Sequence, residues 1–211
     1  MYSLSQFTEK DQSLVLEFMH ANPFAVLCGS DQHHHPVATQ IPVFIDRRDD
    51  RLFLSGHMMR RTDHHLAFET NPHVLAIFTG PHAYVSASWY EQKNAVSTWN
   101  YMSVHAHGNL KFLGHDELIH VLKRTTNHFE GNPYSGANFD DIPREDIEKM
   151  AKAIIAFEVE VTELKNVFKL SQNKNKTDYA HVVENLGASP GDGEKLAAEM
   201  TRREEGLFPN K

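Results

Sequence analysis

Residues 79–108 read TGPHAYVSASWYEQKNAVSTWNYMSVHAHG, and no other stretch limits the fold as sharply. Both tryptophans, Trp89 and Trp99, lie in it, with Tyr84, Tyr90 and Tyr101. The alternation in Thr98-Trp99-Asn100-Tyr101-Met102 has the period of a strand with two different faces. An apolar run, Val74 to Phe78, leads in, and another ends at Phe112 and Leu113. Gly80-Pro81 reads as a turn, and Glu91 to Ala95 as a polar interruption. Two strands joined by an aromatic-edged loop are therefore expected. Flat side chains with polar edges suit a flat, partly polar ligand. From this stretch alone, filling a β-core is the simpler role.

The rest of the chain alternates short strands with helices. Residues 11–20 place Leu14, Val15, Phe18 and Met19 on one stripe, with Thr8 or Asp11 as cap. Asn22-Pro23 stops that helix. Phe24 to Cys28 is a short strand. Val37 to Ile45 is a longer one, and Pro42 inside it argues for a sheet edge or a break. Leu52 to Leu54 returns as a strand, and residues 63–70 are helical. Asp116 is expected to cap a helix with Leu118, Ile119, Leu122 and Phe129 inward, ended by Gly131-Asn132-Pro133. Residues 143–152 form a further helix, and Ala156 to Val161 alternates apolar and acidic. Residues 177–187 and 190–204 are helical, with Ser189-Pro190 starting the second. No internal repeat or linker interrupts the 211 residues. The expectation is mainly β with helical decorations (α+β), a single domain over 1–211 with a helical extension from about 163.

Charge narrows the function. Residues 1–110 carry 7 basic and 10 acidic side chains, and residues 111–211 carry 14 and 18. Neither half has the basic footprint of a DNA-binding module, so DNA contact is expected to be weak or indirect. No apolar run approaches the ~20 residues of a membrane helix. The start, MYSLSQFTEKDQ, does not read as a secretory signal. Cys28 is the only cysteine, which fits a reducing cytoplasm. Fifteen histidines invite a metal reading. His64-His65 are adjacent on a helix and cannot share a face, and no carboxylate completes a ligand set around His105 and His107, so no metal is assigned. No GxSxG, phosphate-loop or GxGxxG motif occurs, and no catalytic residue is assigned.

One connection has chemistry of its own. Ser55-Gly56-His57-Met58-Met59-Arg60-Arg61-Thr62-Asp63 joins a strand to the start of a helix. Helix N–H groups, the helix dipole and two guanidinium forks are the parts from which a phosphate site is built. Adjacent residues in an extended connection point opposite ways. Arg60, two residues before the cap, is expected to reach the phosphate, and Arg61 to face solvent or a partner.

With these residues in view, the sequence resembles the PaiB-type family, described as FMN-binding negative transcriptional regulators. Asn22-Pro23-Phe24-Ala25, Ala38-Thr39-Gln40-Ile41-Pro42 and Gly56-His57 carry the likeness. GPHAYVSASWY (80–90) and TWNYMSVHAHG (98–108) are its most specific blocks, and Lys169-Leu170-Ser171-Gln172-Asn173 followed by Asp178 closes it. The resemblance implies an FMN-binding split β-barrel of the pyridoxamine-phosphate-oxidase kind, assembled as a homodimer. It implies flavin contacts from Thr39, Gln40, Ile41 and Pro42 along the ring, and a phosphate at His57, Met58, Met59, Arg60, Arg61 and Thr62. Trp99, Tyr101 and Lys169 complete the implied cofactor set. Where related sequences carry small residues and Asn-Pro, this chain has Met59 to Asp63. The implied function is a flavin-binding transcriptional regulator. The alternatives are a flavin-dependent oxidoreductase, or a barrel that has lost flavin and binds haem or another ligand.

Overall fold

The computed structural model describes residues 1, 4–92, 94–132 and 134–209. In chain order the elements are α1 (Gln12–Ala21), β1 (Phe24–Ser30), β2 (Pro36–Pro42), β3 (Phe44–Arg48), β4 (Arg51–Met59), α2 (Asp63–Thr70) and β5 (His73–Val85). Then come β6 (Thr98–Phe112), α3 (His115–Glu130), α4 (Arg144–Ala151), β7 (Ile154–Lys169), α5 (Lys176–Gly187) and α6 (Asp192–Leu207). The chain divides into two compact units. One comprises Met1–Asn22, Thr79–His105 and Lys165–Lys211; the other comprises Pro23–Phe78 and Ala106–Leu164.

All seven strands contribute to the second unit, in the order β2-β1-β5-β6-β7-β4-β3. The pairs β1–β2, β1–β5, β3–β4 and β4–β7 are antiparallel. The strands at the two ends of this order, β2 and β3, are consecutive in the chain and joined by Val43 alone. In a flat sheet, six strand spacings of ~4.8 Å would set them about 29 Å apart. Two Cα–Cα steps of ~3.8 Å span at most about 8 Å. The sheet therefore rolls up, and Pro42 is the residue at which the chain passes from one edge to the other. A Cβ on Gly56 of β4 would lie 3.0 Å from the carbonyl oxygen of Pro42, so the two edges meet there. The barrel interior holds Leu54, Phe157 and Val159, all fully buried. A smaller cluster of Leu118, Val121, Ala151 and Ala156 seats α3 and α4.

The first unit is built on α1, α5, α6 and the stretches of β5, β6 and β7 within it. Phe18 of α1 packs on Phe168 with ring centroids 5.1 Å apart. Tyr179 is fully buried, and its hydroxyl donates to the carbonyl of Met200 at 2.8 Å, tying α5 to α6. Asp11 caps α1 by accepting from the N–H of Ser13.

Several sequence expectations change here. The strand starting at Arg51 runs on to Met59, so His57, Met58 and Met59 belong to β4 and the connection shrinks to three residues. Gly80-Pro81 is not a turn, because β5 continues through it. β1 pairs with β5 at Leu75 to Ile77, so Pro81 falls beyond that register, where β1 asks no N–H of it. Gly80 is required by packing: a Cβ there would come 2.4 Å from the Phe18 ring. α3 starts after Gly114, with Asp116 in its first turn, and Phe129 is 56% exposed, not inward. Gly131 ends α3 in the left-handed conformation (φ 59°), while Pro133 lies outside the described residues. α6 is preceded by Gly191 (φ 81°), and not by Ser189-Pro190.

Candidate functional site

In the second unit the rolled sheet gathers two stretches that are distant in sequence. Thr39–Pro42 form the end of β2, an edge strand in the sheet order whose Pro42 end closes on β4. Ile41 is buried, Gln40 is exposed, and Thr39 and Pro42 are half-buried. α2 packs against β1 and β2, and β2 approaches β4. The end of β4 alternates as a strand must. Met58 points inward at 3% exposure, and Met59 is 60% exposed. Burial holds the His57 imidazole below its usual pKa, which favours the neutral ring.

Arg60, Arg61 and Thr62 connect β4 to α2. Arg60 is spent partly on the barrel: its N–H donates to the carbonyl of Ala153 at 2.9 Å and its Nε to that of Ile154 at 2.8 Å. Its side chain thus lies on the start of β7 instead of folding back over α2. Arg61 has φ 63°, a left-handed conformation in a non-glycine residue. Thr62 caps α2, its hydroxyl accepting from the N–H of His65 and donating to the carbonyl of Met59 at 3.1 Å. Asp63 accepts from the N–H of His64 at 2.8 Å. The first N–H groups of α2 are therefore already engaged by the protein's own oxygens, so any anion here meets guanidinium first. Among the described residues, the exposed guanidinium of Arg61 makes no hydrogen bond or ion pair, so its whole fork is open.

Trp99, Tyr101 and Lys169 belong to the first unit, and β6 separates them. Thr98, Asn100 and Met102 take one face, and Trp99 and Tyr101 the other. Trp99 is 52% exposed and stands by Tyr84 (51% exposed), with ring centroids 6.0 Å apart, and by His82 at 6.2 Å. Lys169 lies on the Thr98 side, and its ammonium donates to the hydroxyl of Thr98. There it lines a cavity of about 340 Å³ together with Phe7, Val96, Asn100, Asn173 and Lys174. The floor of this cavity is a buried polar clasp. Asn100 Nδ2 donates to Ser171 Oγ at 3.0 Å, and Ser171 Oγ returns a bond to Asn100 Oδ1 at 3.2 Å. Sequence reasoning missed Asn100 and Lys174. Asn100 was overshadowed by the aromatics on either side of it, although an asparagine on the inward face of a strand is itself a signal.

Comparisons with known proteins identify the family and the fold. A family model described as "Putative FMN-binding domain" matches residues 1–163. The chain is 32% identical over 200 residues to "Protease synthase and sporulation protein PAI 2" of Bacillus subtilis strain 168, covering 95% of this chain and 96% of that one. Among solved structures it resembles the flavocytochrome Anf3 from Azotobacter vinelandii (TM-score 0.56, 16% identity, 85% of this chain and 78% of that one). It also resembles the FAD and heme binding protein from Mycobacterium smegmatis (TM-score 0.54, 17% identity, 77% and 73%). At such identities the likeness is one of fold, and the fold is the split β-barrel.

Proposed function

The chain belongs to the FMN-binding family that this model represents, and on that premise we propose that it is a flavin-binding regulatory protein of the PaiB type, with FMN as its ligand. The observation that carries the reading is the open Arg61 fork at the start of α2, the helix that packs against β1 and β2. An isoalloxazine ring presents alternating donors and acceptors along its pyrimidine side, and the outward groups of Thr39 to Pro42 are of the kind that match them. A phosphate monoester suits a planar guanidinium fork. The chemistry of the residues present therefore fits the group. Arg61 has the larger part in this proposal, and Arg60, anchored on Ile154, the smaller. His57 and Met59, on the face of β4 opposite Met58, would wall the ring, and Met59 is exposed enough to be covered by it.

Bound flavin supplies redox chemistry, while the protein supplies orientation and electrostatics. Regulation in this reading runs through the flavin or a protein partner. A chain of net charge −7 holds DNA weakly and in a strongly salt-dependent way. The exposed Trp99 and Tyr84 support a homodimer that covers them.

A titration of the purified protein into FMN, followed by flavin fluorescence, tests the function. Saturable quenching at one flavin per chain is expected. No quenching at micromolar protein would rule out FMN as the ligand.

A further inference from the structure

The cavity in the first unit has an electrostatic imbalance. Two lysines, Lys169 and Lys174, line it, and among the described residues no carboxylate does. Among the described residues neither lysine forms an ion pair. Lys169 donates to the Thr98 hydroxyl, and Lys174 Nζ sits 4.0 Å over the Tyr90 ring. Burial, and then the charge of Lys174, hold the Lys169 ammonium below its usual pKa. Two like charges facing one recess in a chain of net charge −7 form a vacancy of the opposite sign.

The segment that presents these lysines is held rigidly. Ser171 is buried at φ 58°, a conformation rare outside glycine, and the Asn100 clasp keeps it there. The side chain of Gln172 bridges the carbonyl of Phe168 at 2.6 Å and the N–H of Leu170 at 2.7 Å. The N–H of Lys174 donates to the carbonyl of Ser171 at 2.9 Å. Backbone strain held by dedicated hydrogen bonds is what a preorganised binding loop requires. Phe7 and Val96 add an apolar wall.

We propose that this cavity binds a small organic phosphate monoester other than the flavin, gripped by Lys169 and Lys174 with its organic body against Phe7 and Val96. A phosphate monoester is favoured over a carboxylate because it carries nearly two negative charges near neutral pH, matching the two ammonium groups. The inference rests on the reading above in one respect: flavin lies at the β4–α2 connection and not in this cavity.

Phenyl phosphate is a suitable probe, with benzyl alcohol as its neutral counterpart, in calorimetric titrations of the full chain. Phenyl phosphate should bind and benzyl alcohol should not. Lys174→Gln should weaken phenyl phosphate by about tenfold or more, the scale of one charge-assisted hydrogen bond. Lys169→Met should act likewise. Asn173→Asp places a negative charge at an exposed rim position and should weaken binding by about tenfold without lowering the melting temperature, which keeps the test valid if Lys169→Met fails to fold. Saturating FMN should leave the phenyl phosphate affinity unchanged. No binding at 10-millimolar order of probe, binding indifferent to Lys174→Gln and Asn173→Asp, or displacement by FMN would each overturn the proposal.

Discussion

Arg61 donates its main-chain N–H to Nδ1 of His65 across 3.4 Å, so the left-handed turn of the connection leans on an imidazole nitrogen that must stay unprotonated. His65 is 4% exposed, with its ring 4.9 Å from that of Phe112. Burial holds its pKa below 6.5. Glu69 opposes this, and Arg60 and His64 reinforce it. A histidine with a depressed folded pKa lends stability that is complete above about pH 6.5 and is lost as pH falls below it, because the unfolded chain takes up the proton first. The melting temperature should therefore fall below pH 6.5, where His57 acts in the same direction. His65→Asn, which keeps an acceptor near the δ position, should flatten that fall. His65→Ala should cost about 1–3 kcal/mol by leaving the turn without its acceptor. An unchanged pH profile in His65→Asn would argue against this role.

Glu158 loses its stabilisation in the same direction of pH but in a more acidic window. It is 9% exposed on β7 and takes a bond from Arg48 and another from Lys111 at 2.9 Å. Burial pushes its carboxyl up, but the two cations outweigh that and hold it below 4.5. Its stabilisation is present above pH 4.5 and is lost as pH falls further. Both cations are more than half exposed, so solvent screening limits the effect. Glu158→Gln should lower stability at pH 7 by about 1–2 kcal/mol and remove part of the acid sensitivity, measured by urea unfolding at pH 7 and pH 4.

Gly108 allows β6 to pass close to β7. A Cβ there would stand 2.4 Å from the carbonyl oxygen of Glu160, a backbone atom that cannot swing aside. Gly108→Ala should destabilise by about 2–4 kcal/mol. Gly136, where an added Cβ meets nothing within 4 Å but φ is 72°, should cost about 1 kcal/mol through backbone strain alone. Chemical denaturation of the two variants separates the mechanisms.

Trp99 and Tyr84 present aromatic surface to solvent, and a homodimer would hide it. Light scattering at tens of micromolar should give twice the chain mass. Trp99→Lys should give a monomer with an unchanged melting transition at low concentration. A monomeric parent protein would remove this part of the proposal.

The sequence makes the elements more legible than the site. α2 begins after its Thr62 cap and β6 follows its alternation, both to the expected bounds, and Pro42 marks the break between β2 and β3 because a proline cannot serve a central ladder. What is hidden is long-range. Nothing local in Gly80-Pro81 tells a turn from a strand pressed against Phe18, since both need glycine. Nothing local tells that Arg60 is occupied by Ile154, because that carbonyl arrives 94 residues later. The role of Lys169-Leu170-Ser171-Gln172-Asn173 emerges only when Asn100 is found beneath it.

The most direct test of flavin binding at the β4–α2 connection compares FMN with riboflavin across two substitutions. FMN differs from riboflavin by its phosphate, so a guanidinium that grips the phosphate affects only FMN. Arg61→Ala should weaken FMN by about one to two decades, the range of a charge-assisted hydrogen bond, and leave riboflavin unchanged, while Arg60→Ala should have the smaller effect on FMN. Equal weakening of FMN and riboflavin by Arg61→Ala, or no change in FMN affinity with either substitution, would contradict a phosphate held at this connection.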